Sequence, residues 1–373
     1  MLQIEKMFEK VVPKNYSIDG YVNNKIRIKD KTFSIKSIYK IVQHFKWMKE
    51  KTGISDTKVL IDSDYIADQA ILTLMESIIY FVINEWNFKV AYRFSIKKNV
   101  LGYQIFKNSL LFKYNNRKID TKDYSSEYNK MIVIERDHFR KVCENIEKNR
   151  KGKFISITMD EIDSFLKFFE FDNEYRNELA EVIVEILDNA LNHSKGDCIL
   201  NLNVLKNDLH KYKYVDVALV SIDEVFIGKE IIEYINKEDK SEYSNKNQIV
   251  LKAFENHKKF FNENYNINSF AMVSAFQKYV TTRKMSGNSG GTGLTTLINA
   301  LIEKSTLNFC YAISGNTNLL FKKDFLNINE DGLIGFNKEN NYIEMIPDKN
   351  VVSINDYDMN VNIYNLQFIL KEN

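Results

Sequence analysis

Glu185, Asn189 and His193 recur four residues apart in the run Glu-Ile-Leu-Asp-Asn-Ala-Leu-Asn-His. On a helix such positions share one face, each a turn beyond the last. A carboxylate one turn from a carboxamide suits a nucleotide site. The amide oxygen can ligate Mg²⁺, and the carboxylate can take a proton from a water or hydroxyl near a terminal phosphate. Further along, Ser286 to Leu294 reads Ser-Gly-Asn-Ser-Gly-Gly-Thr-Gly-Leu, and Leu294, Leu297, Ile298 and Leu301 then repeat at helical spacing. A glycine loop that opens a helix gathers backbone N–H groups at the positive end of its dipole, where phosphates bind.

Both segments need elements to hold them. Residues 178–193 are amphipathic, with Leu179, Val182, Ile183, Ile186, Leu187 and Ala190 forming an apolar stripe. Glu181, Glu185, Asp188, Asn189 and Asn192 fall on the other face, a pattern that plain contact with water would also produce. Residues 198–204 and 214–222 read as a strand pair. The stretch 229–284 carries two helical patterns, at 249–261 and 270–280. Strands are predicted beyond it at 307–315, 318–321, 342–346 and 361–370. Upstream, strands at 25–28, 32–35, 59–61 and 89–94 and helices at 38–51 and 68–86 make a βαβ-like unit. Residues 99–130 are polar and read as a hairpin and a domain junction. A strand follows at 131–134, then a helix at 138–148 that puts His138 on the surface. Another helix is predicted to begin at Asp160, Glu161 and Asp163, acidic residues suited to its positive end.

Together the Glu185–Asn189–His193 helix and the glycine run resemble the N-box and the glycine-rich box of the GHKL ATPases. This Bergerat-fold superfamily includes gyrase, mismatch-repair ATPases, heat-shock chaperones and histidine kinases. The resemblance covers roughly residues 170–373. It implies an α+β chain, with a Bergerat-fold two-layer α/β sandwich at 126–373 and a long ATP lid at 229–290. A smaller α/β domain at 1–125 precedes it and distantly resembles the STAS domains of anti-sigma-factor antagonists. Ser63 is the only hydroxyl in its acidic loop and is wrongly placed for that family's phosphosite.

The family pattern implies ATP and Mg²⁺ as cofactors, Glu185 as general base and Asn189 on Mg²⁺, with Asn192 and His193 completing the nucleotide-binding helix. Gly291-Thr292-Gly293-Leu294 matches the family's Gly-x-Gly-Leu, and Thr281-Thr282-Arg283-Lys284 matches the Ser/Thr-Lys/Arg stretch that closes the lid. Gly287, Gly290, Gly291 and Gly293 would cradle the phosphates, helped by Thr282 and by Lys284 or Arg283. The adenine box, Asp-x-Gly-x-Gly in the family, is degenerate here. Counting back from Gly228 puts Glu224 at the Asp position and Phe226 at the first glycine. One inserted residue instead puts Asp223 on the adenine, the preferred register because a carboxylate one methylene longer would crowd the base. Losing that charge-assisted hydrogen bond would cost about 1.5–3 kcal/mol.

Two functions follow from the resemblance. One is an enzyme that hydrolyses ATP or phosphorylates a protein Ser/Thr, as anti-sigma-factor kinases do. The other is a catalytically weak switch in which ATP controls binding to a protein partner or a second copy, in a bacterial stress or phage-defence system. The sequence shows no downstream domain with the transducer lysine of gyrase-like members, which favours the compact kinase-like branch.

Composition bounds the alternatives. A chain of 373 residues accommodates two domains, and 52 basic against 50 acidic residues give no bulk drive toward nucleic acid or membrane. Cys143, Cys198 and Cys310 lack metal spacing and read as reduced thiols of a cytoplasmic protein. No stretch reaches the length of apolar sequence that a spanning helix requires.

Overall fold

The structure, a computed structural model, describes residues 4–16, 24–96, 107–143, 146, 150–193, 198–207, 211–223, 225–237, 247–277 and 294–371. The chain opens with α1 (Ile4–Glu9) and then alternates through β1 (Lys25–Ile28), β2 (Thr32–Phe33), α2 (Ile35–Trp47), β3 (Asp56–Ser63), β4 (Tyr65–Ile66), α3 (Gln69–Asn84) and β5 (Lys89–Ile96). β1, β3 and β5 pair in parallel, as a βαβ sequence requires. Along these strands every second residue is buried, so α2 and α3 cover one face and water meets the other. α3 is buried from Gln69 to Ile83 and begins at Asp68, whose carboxylate accepts the Ile71 N–H at 3.0 Å.

The polar segment expected as a hairpin and junction is instead α4 (Leu110–Lys113), β6 (Arg117–Lys118) and α5 (Thr121–Tyr128) over its described part, residues 107–130. β6 pairs antiparallel with β5. α5 runs through the expected boundary at 125/126. It packs on α3 because Tyr124 and Tyr128 are fully buried, their hydroxyls donating to the Glu76 carbonyl (3.1 Å) and Ser77 Oγ (2.9 Å). Satisfied phenols let a polar-looking sequence be core.

A second misreading lies just beyond. His138–Cys143 is not helical but a strand, β8, in a hairpin with β7 (Ile132–Glu135). Phe139 and Val142 enter cores on opposite sides of it. Its charged residues find partners: Arg140 donates to the Tyr128 carbonyl (2.9 Å) and Lys141 to Glu161. His138 is therefore no surface residue; it is 4% exposed, with Nε2 at 2.9 Å from Asn201 Oδ1. Asp160 to Asp163 also do not start a helix, since α6 spans Lys151–Lys167.

After α6 come α7 (Asn173–His193), β9 (Cys198–Asn207), β10 (Tyr212–Ser221), α8 (Lys229–Asn236), α9 (Asn247–His257), α10 (Ile267–Ala275) and α11 (Leu294–Lys304). The strands β11 (Leu307–Ser314), β12 (Thr317–Leu320), β13 (Val352–Ile354) and β14 (Asn362–Lys371) finish the chain. The expected strand at 342–346 is absent. Tyr342 is buried, but its neighbours form turns held by Asn337 Nδ2 on the Asn341 and Met345 carbonyls (3.0 and 3.1 Å).

β7 to β14 form one antiparallel sheet in the order β13-β12-β11-β14-β10-β9-β8-β7. Apolar residues of α6, α7, α10 and α11 cover one face, and α3 lies across the other. The protein is thus mixed α/β, with a mainly parallel sheet and an antiparallel sheet on either side of α3. The three cysteines form no disulfide and are buried, and two that look scattered in sequence, Cys143 and Cys198, stand opposite each other across β8 and β9. Among the described residues no helix is long and apolar enough to cross a membrane.

Candidate functional site

α7 supplies the first part of the site. Asp172 starts it by accepting the Tyr175 N–H at 2.8 Å, and Leu179, Val182, Ile183, Ile186, Leu187 and Ala190 are all buried, as their spacing predicts. Glu185 and Asn189 follow one turn apart and are half-buried. Burial raises the pKa of the Tyr364 phenol on β14, and the Glu185 charge acts in the same direction. Asn192 and His193 lie on the last turn; their side chains fall outside the described residues. The Lys151 ammonium at the start of α6 donates to the Leu191 carbonyl, a favourable cation at the negative end of α7.

Sheet register brings the second part alongside. Cys198, five residues after α7 ends, pairs with Ser221, the last residue of β10. The start of β9, the strand that follows α7, therefore lies against the end of β10 that leads to Asp223. Asp223 is 2% exposed, and its Oδ1 accepts the Val225 N–H at 2.9 Å. Residues that sequence reasoning missed anchor this loop from the neighbouring strands. Ser314 Oγ accepts the Ile227 N–H (2.8 Å) and donates to Asn362 Oδ1 (2.6 Å), while Asn362 Nδ2 donates to the Val225 carbonyl (2.7 Å). The only hint in sequence was a polar residue at one end of each apolar strand, Ser314 closing β11 and Asn362 opening β14. Glu224 lies outside the described residues.

Gly228 has φ +93 and opens α8, and a Cβ there would sit 2.5 Å from the Ala271 carbonyl carbon and oxygen. This glycine is required by the close approach of α10. The expected lid is accordingly tied in at several points. Phe270, Ala271 and Val273 of α10 are fully buried, and Gln277 exchanges bonds with the Ile334 backbone at 2.9 Å in both directions.

Thr282, Arg283, Lys284, Gly287, Gly290, Gly291, Thr292 and Gly293 lie outside the described residues. The ends of that stretch are nonetheless fixed together, because Thr295 Oγ1 donates to the Phe276 carbonyl at 2.6 Å. Leu294 is 6% exposed at the head of α11, which packs on α7.

No protein-family model matches this sequence, and no curated protein matches it. The chemistry must therefore be read from the residues themselves. The candidate site thus comprises a carboxylate and an amide one turn apart on α7, a buried carboxylate after β10, and the pinned ends of α10 and α11 on either side of the glycine-rich stretch. Among the described residues no three His, Cys, Asp or Glu side chains cluster as a metal site.

Proposed function

We propose that residues 126–373 are a Bergerat-type, histidine-kinase-like ATPase unit that binds MgATP between α7 and the 229–290 segment. The observation that carries this reading is the Glu185–Asn189 pair, half-buried one turn apart on α7, a helix that packs against β10, the strand that leads into the Asp223 loop. The donor chemistry fits the nucleotide. Asn189 would offer a neutral oxygen to Mg²⁺, Asp223 a carboxylate to the adenine amine, and the glycine-rich sequence ahead of Leu294 backbone N–H groups to phosphate. Bound ATP supplies an electrophilic phosphoryl group. Glu185 would take the proton from the attacking water or protein Ser/Thr hydroxyl as the new P–O bond forms and the bond to the β-phosphate oxygen breaks, releasing ADP. Residues 1–125 fit a STAS-like unit in their parallel strands, with Ser63 buried and so no phosphoacceptor.

A second reading is an ATP-controlled protein-binding switch with little turnover. It is favoured by Gly228, whose missing side chain makes room for α10, and by Phe226 where a base-approaching glycine would be. Single-turnover assays with radiolabelled ATP separate the two. If Glu185 is the base, Glu185→Ala retains nucleotide but loses about 10²–10⁴-fold in rate. Undiminished turnover in that variant removes the assignment.

A further inference from the structure

The face of the parallel sheet turned away from α2 and α3 carries a charge pattern that neither the core nor the nucleotide site uses. Strand alternation leaves Lys25, Arg27, Lys58, Lys89, Arg93 and Lys118 exposed on it. Only two strand carboxylates share the face. Asp62 pairs with Arg27 (3.1 Å) and Arg93 (3.4 Å), and Asp56 approaches Lys118 at 3.8 Å. An excess of four positive charges thus sits on one face of a chain whose net charge is only +2. Lys25 also stands directly opposite Lys58 in register, an arrangement that costs stability within a sheet. Like charges set side by side where any polar residue would serve point to a countercharge outside the chain.

The composition of the face narrows what brings that countercharge. Among the described residues none of the exposed large apolar side chains lies on it. Protein interfaces concentrate aromatic residues and are poor in lysine. Binding in a membrane interface buries an apolar face. Single-stranded nucleic acid is held by stacking on aromatic rings. A lysine- and arginine-bearing face without such rings fits a polyanion held by charge alone. With strands about 4.8 Å apart and about 3.3 Å per residue, it measures roughly 15 by 25 Å, enough to meet several phosphates of a duplex.

We infer that this sheet face binds the phosphate backbone of a nucleic-acid duplex, without reading its sequence. The cations are spread from position 25 to 118, and only strand pairing assembles them.

Fluorescence anisotropy of the full chain with a labelled short DNA duplex, between about 50 and 200 mM salt, tests the inference. Each neutralised phosphate contributes about −0.9 to the slope of log affinity against log salt, so the expected slope is about −3 to −4. Lys25→Glu with Lys58→Glu should flatten it by about 2 and weaken binding at least about tenfold. Lys25→Gln with Lys58→Gln gives the smaller effect of charge removal alone, and Lys338→Glu, an exposed residue between β12 and β13, outside that sheet, should change nothing. Matching thermal melts exclude unfolding as the cause. Absence of salt-dependent binding, unaltered affinity in both double variants, or preference for phosphatidylserine vesicles over the duplex would overturn it.

Discussion

The two faces of the antiparallel sheet are built from the same strands by opposite means. Toward α7 and α11, β10 and β14 present Val215, Val217, Leu219, Leu366 and Phe368, an ordinary aliphatic core. Toward α3 the same strands, with β9 and β11, present Asn201, Asn203, Tyr214, Asp216, Asn365, Gln367 and Tyr311 among the apolar residues, all but Gln367 fully or nearly fully buried. This second face is bonded to α3. Tyr311 donates to Asp68 Oδ2 (2.6 Å), and Asn201 Nδ2 donates to Thr73 Oγ1 (2.8 Å). Asp216 Oδ2 accepts from Gln367 Nε2 (3.0 Å) and Tyr214 (3.1 Å). An apolar face holds its helices by burial and leaves their rotation weakly defined. Directional bonds to a few side chains fix where α3 sits, at the cost of desolvating them.

The comparison is sharpest where side chains are removed. Leu219→Ala on the aliphatic face should cost about 2–5 kcal/mol in denaturant unfolding, the range for a cavity in a packed core. A loss under about 1 kcal/mol would mean that face is loosely packed.

The polar face should declare itself through pH. Burial, reinforced by the nearby Asp68 charge, pushes Asp216 up to about 8, and burial raises Asp68 to about 6. Carboxyls raised in the fold stabilise it fully below their unfolded value near 4 and lose that contribution as pH rises through the folded one. His44, His138 and His257, lowered by burial to about 4, act in the opposite sense, adding stability that is lost as pH falls below 6.5. Between pH 6.5 and 8, Asp216 is the group among these whose ionisation still weakens the fold. Thermal stability should therefore fall over that window by about 2 kcal/mol, and Asp216→Asn should flatten the fall. Parallel profiles for the two proteins would refute the assignment.

The smallest effect belongs outside both faces. Lys304 of α11 bridges Glu174 (2.9 Å) and Glu178 (2.8 Å) of α7 at the surface. Lys304→Ala should cost at most about 1 kcal/mol, less at high salt. A larger loss would show that charge, not burial, joins those helices.

Local periodicity carried much of the fold. α3, α7, β9 and β10 announce themselves because their apolar spacing is that of one element over many residues. β8 did not, because Arg140 and Lys141 look solvated until Tyr128 and Glu161, distant in sequence, are folded against them. α5 did not, because phenols read as polar until α3 supplies their acceptors. The site divides in the same way. Glu185 and Asn189 were legible as a local helical pair. The Ser314–Asn362 anchor of the Asp223 loop joins residues 48 apart through strand pairing, which no local pattern encodes.

The central claim, that α7 and the Asp223 loop hold MgATP, is tested most directly by isothermal titration of the full chain with ATP, with and without Mg²⁺. The account predicts magnesium-dependent binding that Asn189→Ala abolishes, with the variant's thermal melt unchanged. Equal affinity in wild type and Asn189→Ala, or no binding by the wild type at all, would contradict it.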